Sequence, residues 1–151
     1  MKSCVVRPYI EKFLSERFDC DDVKPDEEGD YAFRAGRALV SFRILDGEPG
    51  IVSVFSRLVR GVKKSLHLLE ALNEFNAGVH FVKAYWEGAG TKGDVVIMAD
   101  LQIDGLDDDQ LGFRCELVIQ VAADLGPTIK KTCGGKLAFR HEEPNADEVD
   151  V

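Results

Sequence analysis

Glycines at 88, 90 and 93 spell Gly-x-Gly-x-x-Gly, a spacing that can cradle a pyrophosphate. That chemistry needs a helix to begin where the glycines end, so that backbone N–H groups and the positive helix terminus meet the anion. Here Asp94 to Ile103 has the composition of a strand and no helical period. The glycines read as a hairpin loop. The histidines offer as little. His67, His80 and His141 form neither H-x-x-x-H nor H-E-x-x-H, so zinc has no local support. His67 reaches Glu70 on a helix surface, a salt-bridge spacing rather than a base with its orienter.

Cys4, Cys20, Cys115 and Cys133 are scattered and form no C-x-x-C pair, which fits free thiols in a reducing compartment. Cys20 sits among Asp19, Asp21 and Asp22, whose charge should raise its thiol pKa, the wrong direction for a nucleophile. Cys115 falls in an apolar seam and reads as a small core residue. Asp19 to Asp30 is dense in carboxylates but lacks the D-x-[DN]-x-[DN]-G spacing of a calcium loop, so a solvated loop is expected. No catalytic, cofactor-binding or metal-ligating residue is therefore expected. The competing class is an enzyme or small-molecule sensor whose site is assembled from dispersed residues. A deep polar pocket around a group of shifted pKa would mark it.

The chain has 151 residues and a net charge of −8. That length suits one domain with its own core. No apolar run approaches the roughly 20 residues of a membrane span, and the N-terminus turns polar too soon for a signal peptide. A cytoplasmic protein with no membrane partner follows. The acidic balance argues against nucleic acid, because phosphate repels such a surface. Arg57, Arg60, Lys63 and Lys64 are the local exception. They read as a solvated strand end and helix start, or as contacts for an acidic segment of a partner or of this chain's own tail.

The elements that would position these residues follow from periodicity. Pro8 begins a helix with Tyr9, Ile10, Phe13, Leu14 and Phe18 on one face. Three strands alternate next: Tyr31-Phe33-Ala35, Ala38-Val40-Phe42-Ile44 and Val52-Val54-Leu58. Without a helical crossover they must form an antiparallel meander. Val62, Leu66, Leu69, Leu72 and Phe75 then make a helical stripe ended by Asn76 and Gly78. Val79–Trp86 and Asp94–Ile103 flank the glycine loop as a hairpin. Asp107 and Gln110 form a capping box for a last helix, with a seam of Leu111, Cys115, Val118, Ala122, Leu125 and Ile129. Pro127 should kink or restart it. The domain spans 1–135, and 136–151 reads as an acidic, disordered tail. The class is α+β, in the order α-β-β-β-α-β-β-α.

The hairpin is the anomaly. Each strand has one apolar face and one mixed face, and the mixed faces carry Val82, Ala84, Trp86, Val96 and Met98. An antiparallel sheet with helices on one side should alternate more cleanly. These five residues are expected to form an apolar patch on the outer face, a dimer or partner-binding surface unless a helix covers it.

Leu66-His67-Leu68-Leu69-Glu70-Ala71-Leu72-Asn73-Glu74-Phe75-Asn76, followed by Phe81-Val82-Lys83-Ala84-Tyr85-Trp86, resembles the YbjN-like family, which is grouped with the type III secretion chaperones. Ala122-Ala123-Asp124-Leu125-Gly126-Pro127 points the same way. The resemblance covers about Val6 to Gly135 and rests on packing motifs. It implies a chaperone-like fold and a non-enzymatic homodimer that holds an extended peptide or partner protein, with the central helix and following strands at the dimer contact. It carries over no catalytic residue. A partner strand adding to a sheet edge is the expected mode. A regulatory docking subunit is the further alternative.

Overall fold

The computed structural model describes residues 3–138. Its strands are β1 (Tyr31–Ala35), β2 (Ala38–Leu45), β3 (Ile51–Lys63), β4 (Lys83–Ala89), β5 (Lys92–Gln102) and β6 (Lys136–Leu137); its helices are α1 (Ser3–Phe18), α2 (Leu66–Gly78) and α3 (Asp108–Cys133). The alternating runs pair as one antiparallel sheet in the order β1-β2-β3-β5-β4, and β6 adds to β3. This is the expected α+β order with one short strand added.

All three helices lie on one face. Tyr31, Phe33, Val40, Phe42, Val52 and Val54 meet Val6, Ile10 and Leu14 of α1, Leu68 and Leu72 of α2, and Leu111, Cys115, Val118 and Ile129 of α3 in a single buried cluster. Phe13 packs 6.3 Å from Phe42 and Phe18 packs 4.7 Å from Phe33, ring centre to ring centre, which seats α1 over β1 and β2. The Asp107 side chain accepts from the Gln110 backbone N–H at 2.8 Å, as a capping box requires.

Several boundaries differ from the sequence reading. α1 starts before Pro8, which lies inside it. A proline removes one backbone donor near a helix start, and tertiary contacts support the extra turn: Val6 is fully buried and Arg7 donates to the Gly29 carbonyl at 3.1 Å. Val62 belongs to β3, not to the central helix. Its four-residue step to Leu66 mimics helical spacing, but β3 continues to Lys63 through a break in ladder register between Val59 and Val62, where Gly61 adopts φ +66. α2 begins only after Ser65, whose hydroxyl accepts from Leu68 N–H at 3.1 Å. It buries Leu68 and Leu72, leaving Leu66 and Leu69 exposed.

The hairpin is tighter than expected. Ala89 pairs with Lys92, so Gly90 and Thr91 alone make the turn. Gly90 has φ +72, the left-handed backbone that a two-residue hairpin turn demands of its first residue. Asn76 does not end α2 but reaches to β4: its side chain donates to the Ala84 carbonyl at 2.9 Å and accepts from the Ala84 N–H at 2.8 Å. α3 runs unbroken through Pro127, an exposed position. Lys136 and Leu137, placed in the tail by the sequence reading, pair with Arg60 and Val59 of β3. The rest of the tail, 139–151, lies outside the described residues, as does His141.

Candidate functional site: the helix-free face of the sheet

Directly paired residues of an antiparallel ladder point to the same face. Ala84 pairs with Ile97 and Trp86 with Val95, and both partners are fully buried beneath the helices. Val82, Ala84 and Trp86 therefore face inward. Val96 pairs with Tyr85 and Arg57, and Met98 with Lys83 and Phe55, so these two face outward. The expected five-residue patch is thus divided between opposite faces. The cause is register: periodicity gives each strand its two faces but not which face of one meets which face of the other.

Trp86 has an intramolecular task. Its Nε1–H donates to the Val62 carbonyl at 3.0 Å, and the Lys64 ammonium lies 5.4 Å from the ring centre. The glycine motif makes room for it. A Cβ on Gly93 would stand 2.8 Å from the indole Cε2, and one on Gly88 would stand 3.0 Å from Cζ2. The spacing that imitates a phosphate loop serves an aromatic ring instead.

Outside, Phe55, Val96, Met98 and Tyr85 form an apolar stripe across β3, β5 and β4 that no helix covers. Phe55 and Val96 are only 6% and 2% exposed, shielded by their neighbours on that face. The Arg43 guanidinium lies 5.0 Å over the Phe55 ring. It is held there by Asp30, with Nε to Oδ1 at 3.0 Å and Nη2 to Oδ2 at 2.7 Å, and this pairing raises the Arg43 pKa. Asp30 is buried, so the acidic loop is not wholly solvated as expected; Asp26 also turns inward to accept from the Glu28 and Asp30 amides. Arg57 bonds Asp94 at 3.1 Å and Glu87 at 3.4 Å. Burial, then Glu87, raises the Tyr85 pKa, while Arg57 and Arg43 oppose the shift. The surface is a flat apolar strip with a paired, charged rim. It can bury side chains, and beyond Phe55 and Met98 the Ser53 hydroxyl donates to the Asp100 carboxylate at 2.6 Å on the same face.

Of the four basic residues singled out, two come together. Arg57 and Arg60 line a cleft of about 60 Å³ with Leu39, Ser41, Phe55 and Ala138. Lys63 and Lys64 continue to the strand end, where Lys64 meets Trp86. Strand addition fares poorly at β4. Its outward backbone groups fall at Ala84, Trp86 and Gly88, and Asn76 already occupies both groups of Ala84. At the other edge β1 offers five residues.

The remaining groups do not converge on a reaction centre. Burial and the Asp108 carboxylate raise the Tyr9 pKa, burial and Glu11 that of Tyr31, and burial that of Cys115, at separate places in the fold. Cys20 is raised by burial first and by Asp19 and Asp21 next. Among the described residues, a hollow along α2 is lined by residues of that helix, among them His67, Glu70 and Asn73. Among the described residues no three His, Cys, Asp or Glu side chains are grouped to hold a metal, and no helix is long and apolar enough to cross a membrane.

A second exposed feature carried no signal in the sequence. Phe81 adopts φ +73, a backbone that bulky residues rarely accept, and leaves its ring 61% exposed. It packs edge-on at 5.5 Å against exposed Phe113, with the Arg114 guanidinium 4.6 Å over it. Strand composition had placed Phe81 within β4.

A family model, TY-Chap1, described as T3SS (YopN, CesT) and YbjN peptide-binding chaperone 1, matches residues 5–141. Three solved structures share the fold. The ExsC–ExsE complex is 15% identical with TM-score 0.61, covering 88% of this chain and 97% of that one. The Yersinia pestis type III secretion chaperone SycH, solved with a stable fragment of YscM2, is 16% identical with TM-score 0.57, covering 78% and 97%. YbjN from E. coli is 14% identical with TM-score 0.53, covering 78% and 92%. No curated protein sequence matches the chain.

Proposed function

The chain belongs to the T3SS and YbjN peptide-binding chaperone family, and from that premise we propose that it is a non-catalytic, homodimeric module that holds an extended segment of a partner protein across the helix-free face of its sheet. The observation that carries this reading is the helix-free outer face, where Met98 and Tyr85 stand partly exposed over an apolar floor of buried Phe55 and Val96. Apolar side chains of a partner segment bury there, while Arg43, Arg57, Asp94 and Glu87 supply a polar rim. The partner docks on the face rather than by adding a strand to β4, whose edge Asn76 blunts. Two of the solved neighbours were crystallised with a protein partner, which supports a protein ligand here.

The second copy docks on the other side. Leu66 and Leu69 of α2 are 73% and 39% exposed, and the strained Phe81 stands beyond the end of the same helix. Together they replace the inward-facing Val82, Ala84 and Trp86 as the dimer surface. The negative charge disfavours nucleic acid as the partner, because phosphate is repelled by it, and unpaired Cys20, Cys115 and Cys133 suit the cytoplasm.

Peptides selected from a random display library against the full chain, then titrated by fluorescence anisotropy, test the reading. Met98→Glu should weaken them at least tenfold, or about 1.4 kcal/mol, because it sets an unpaired charge within an apolar contact. Leu69→Glu should shift sedimentation toward monomer and leave peptide affinity in place. Selected peptides indifferent to Met98→Glu would remove the face as the binding surface, and a wild-type monomer at all concentrations would remove the dimer.

A further inference from the structure

We propose that segment 139–151 of this chain docks on the helix-free face through the Arg57–Arg60 cleft and competes there with a partner peptide. The competition rests on the reading of that face given above. The direction of the chain is the first observation. Lys136 and Leu137 pair with Arg60 and Val59, and the Ala138 N–H donates to the Leu58 carbonyl at 2.9 Å. The chain therefore runs antiparallel to β3 and heads toward Phe55. There β2 takes over as the neighbour of β3, beginning with Ser41 opposite Phe55. With β2 in that place, the route we propose for the segment is across a face of the sheet.

The cleft fixes which face. Ala138 lines it with Leu39, Ser41, Phe55, Arg57 and Arg60, all outward-facing positions. The inner side is occupied: Leu137 lies against Gly126 of α3, where an added Cβ would meet it at 3.6 Å.

Charge and reach supply the rest. Arg60 and Lys136 add positive charge beside Arg57, which Asp94 and Glu87 already engage, at the exit of a chain whose net charge is −8. The residues beyond begin with apolar Phe139 and carry Glu142, Glu143, Asp147, Glu148 and Asp150. At about 3.3–3.6 Å per extended residue, Glu142 reaches roughly 13–14 Å from Ala138. The stripe from Phe55 to Tyr85 spans two strand spacings, about 10 Å. The acids can thus lie along the rim while Phe139 meets Leu39 and Phe55. A tethered segment sees its site at about millimolar effective concentration. An intrinsic affinity near 100 μM would then lower the apparent affinity of a competing peptide about tenfold.

The test compares amide NMR spectra of the full chain with those of a variant carrying Glu142→Gln, Glu143→Gln, Asp147→Asn, Glu148→Gln and Asp150→Asn. Resonances of Ser41, Phe55, Arg57 and Arg60, far from the substitutions in sequence, should move. Raising NaCl should carry the wild-type spectrum toward the variant, since screening shortens the reach of charge. Synthetic peptide 139–151 added to the variant should reverse the shifts, and display-selected peptides should bind the variant about tenfold tighter. Spectral differences confined to 139–151 would overturn the proposal, as would equal peptide affinity for both chains. The spectra contain no partner peptide, so they judge the docking of the segment even if the face proves to bind no partner.

Discussion

Trp86→Ala separates an intramolecular role for the indole from one at an interface. The ring is half-buried, and it accounts for one hydrogen bond to the Val62 carbonyl at 3.0 Å. Large-to-small substitution of a buried aromatic costs about 3–5 kcal/mol. Partial exposure takes the ring to the lower end, roughly 2–3 kcal/mol, and the lost hydrogen bond adds about 1 kcal/mol. A total near 3–4 kcal/mol in a chain of this length lowers the melting midpoint by about 6–16 °C. Thermal and urea unfolding followed by far-UV circular dichroism would read the loss, with the urea slope unchanged. Trp86→Phe keeps most of the apolar contact and should lose only about 1 kcal/mol. The reasoning would fail if Trp86→Ala melted with the wild type while losing self-association in sedimentation, because the ring would then belong to an interface.

Two further outcomes follow from the same structure. A chain ending at Gly135 loses β6 and the Leu137 contact and should be about 1–2 kcal/mol less stable than one ending at Ala138; equal melting of the two would deny β6 a structural role. Tyr9, Tyr31 and Tyr85 all have pKa values raised in the fold, so the folded chain retains protons that the unfolded chain releases near pH 10. Stability from these groups is whole below about pH 10 and is lost above it, so melting midpoints should hold to pH 9 and then fall, and phenolate absorbance rising at the normal pH in the folded chain would contradict this.

Most of the fold was legible because it rests on alternation. Tyr31-Phe33, Val40-Phe42 and Val52-Val54 announce strands with one buried face, and the Leu111-Cys115-Val118 seam with its Asp107 cap announces α3. What failed was relational. The faces of β4 and β5 were each discernible, yet matching them needed the turn: an odd-length loop such as 87–93 would set Ala84 beside Val96, whereas the two-residue turn sets it beside Ile97 and turns Val82, Ala84 and Trp86 inward. Val62 passed as helical because it stands four residues before Leu66, a spacing that gives no sign of the Ser65 cap between them. Nothing in the sequence ties Gly112 to α1, yet the Arg17 guanidinium occupies the space where its Cβ would stand. The site depends on Asp30 reaching Arg43 and on Asn76 reaching Ala84, contacts between side chains whose types alone say loop and helix end.

The amide of Asn76 also bears on how copies of this chain coexist at high concentration. A bare edge strand is a template on which identical molecules stack into ribbons, and proteins commonly spoil such edges with charge, proline or a covering segment. Here a single amide imitates one residue of a neighbouring strand, offering a donor and an acceptor to Ala84. Beyond it only Trp86 and Gly88 present outward backbone groups before the turn, too few for a stable added strand, since strands usually run about 3–10 residues. Aggregation is thereby discouraged at the edge by a residue that touches neither face of the sheet. Protection from stacking and recruitment of a partner are thus assigned to different atoms, so the apolar face can change its selectivity without reopening the route to fibres.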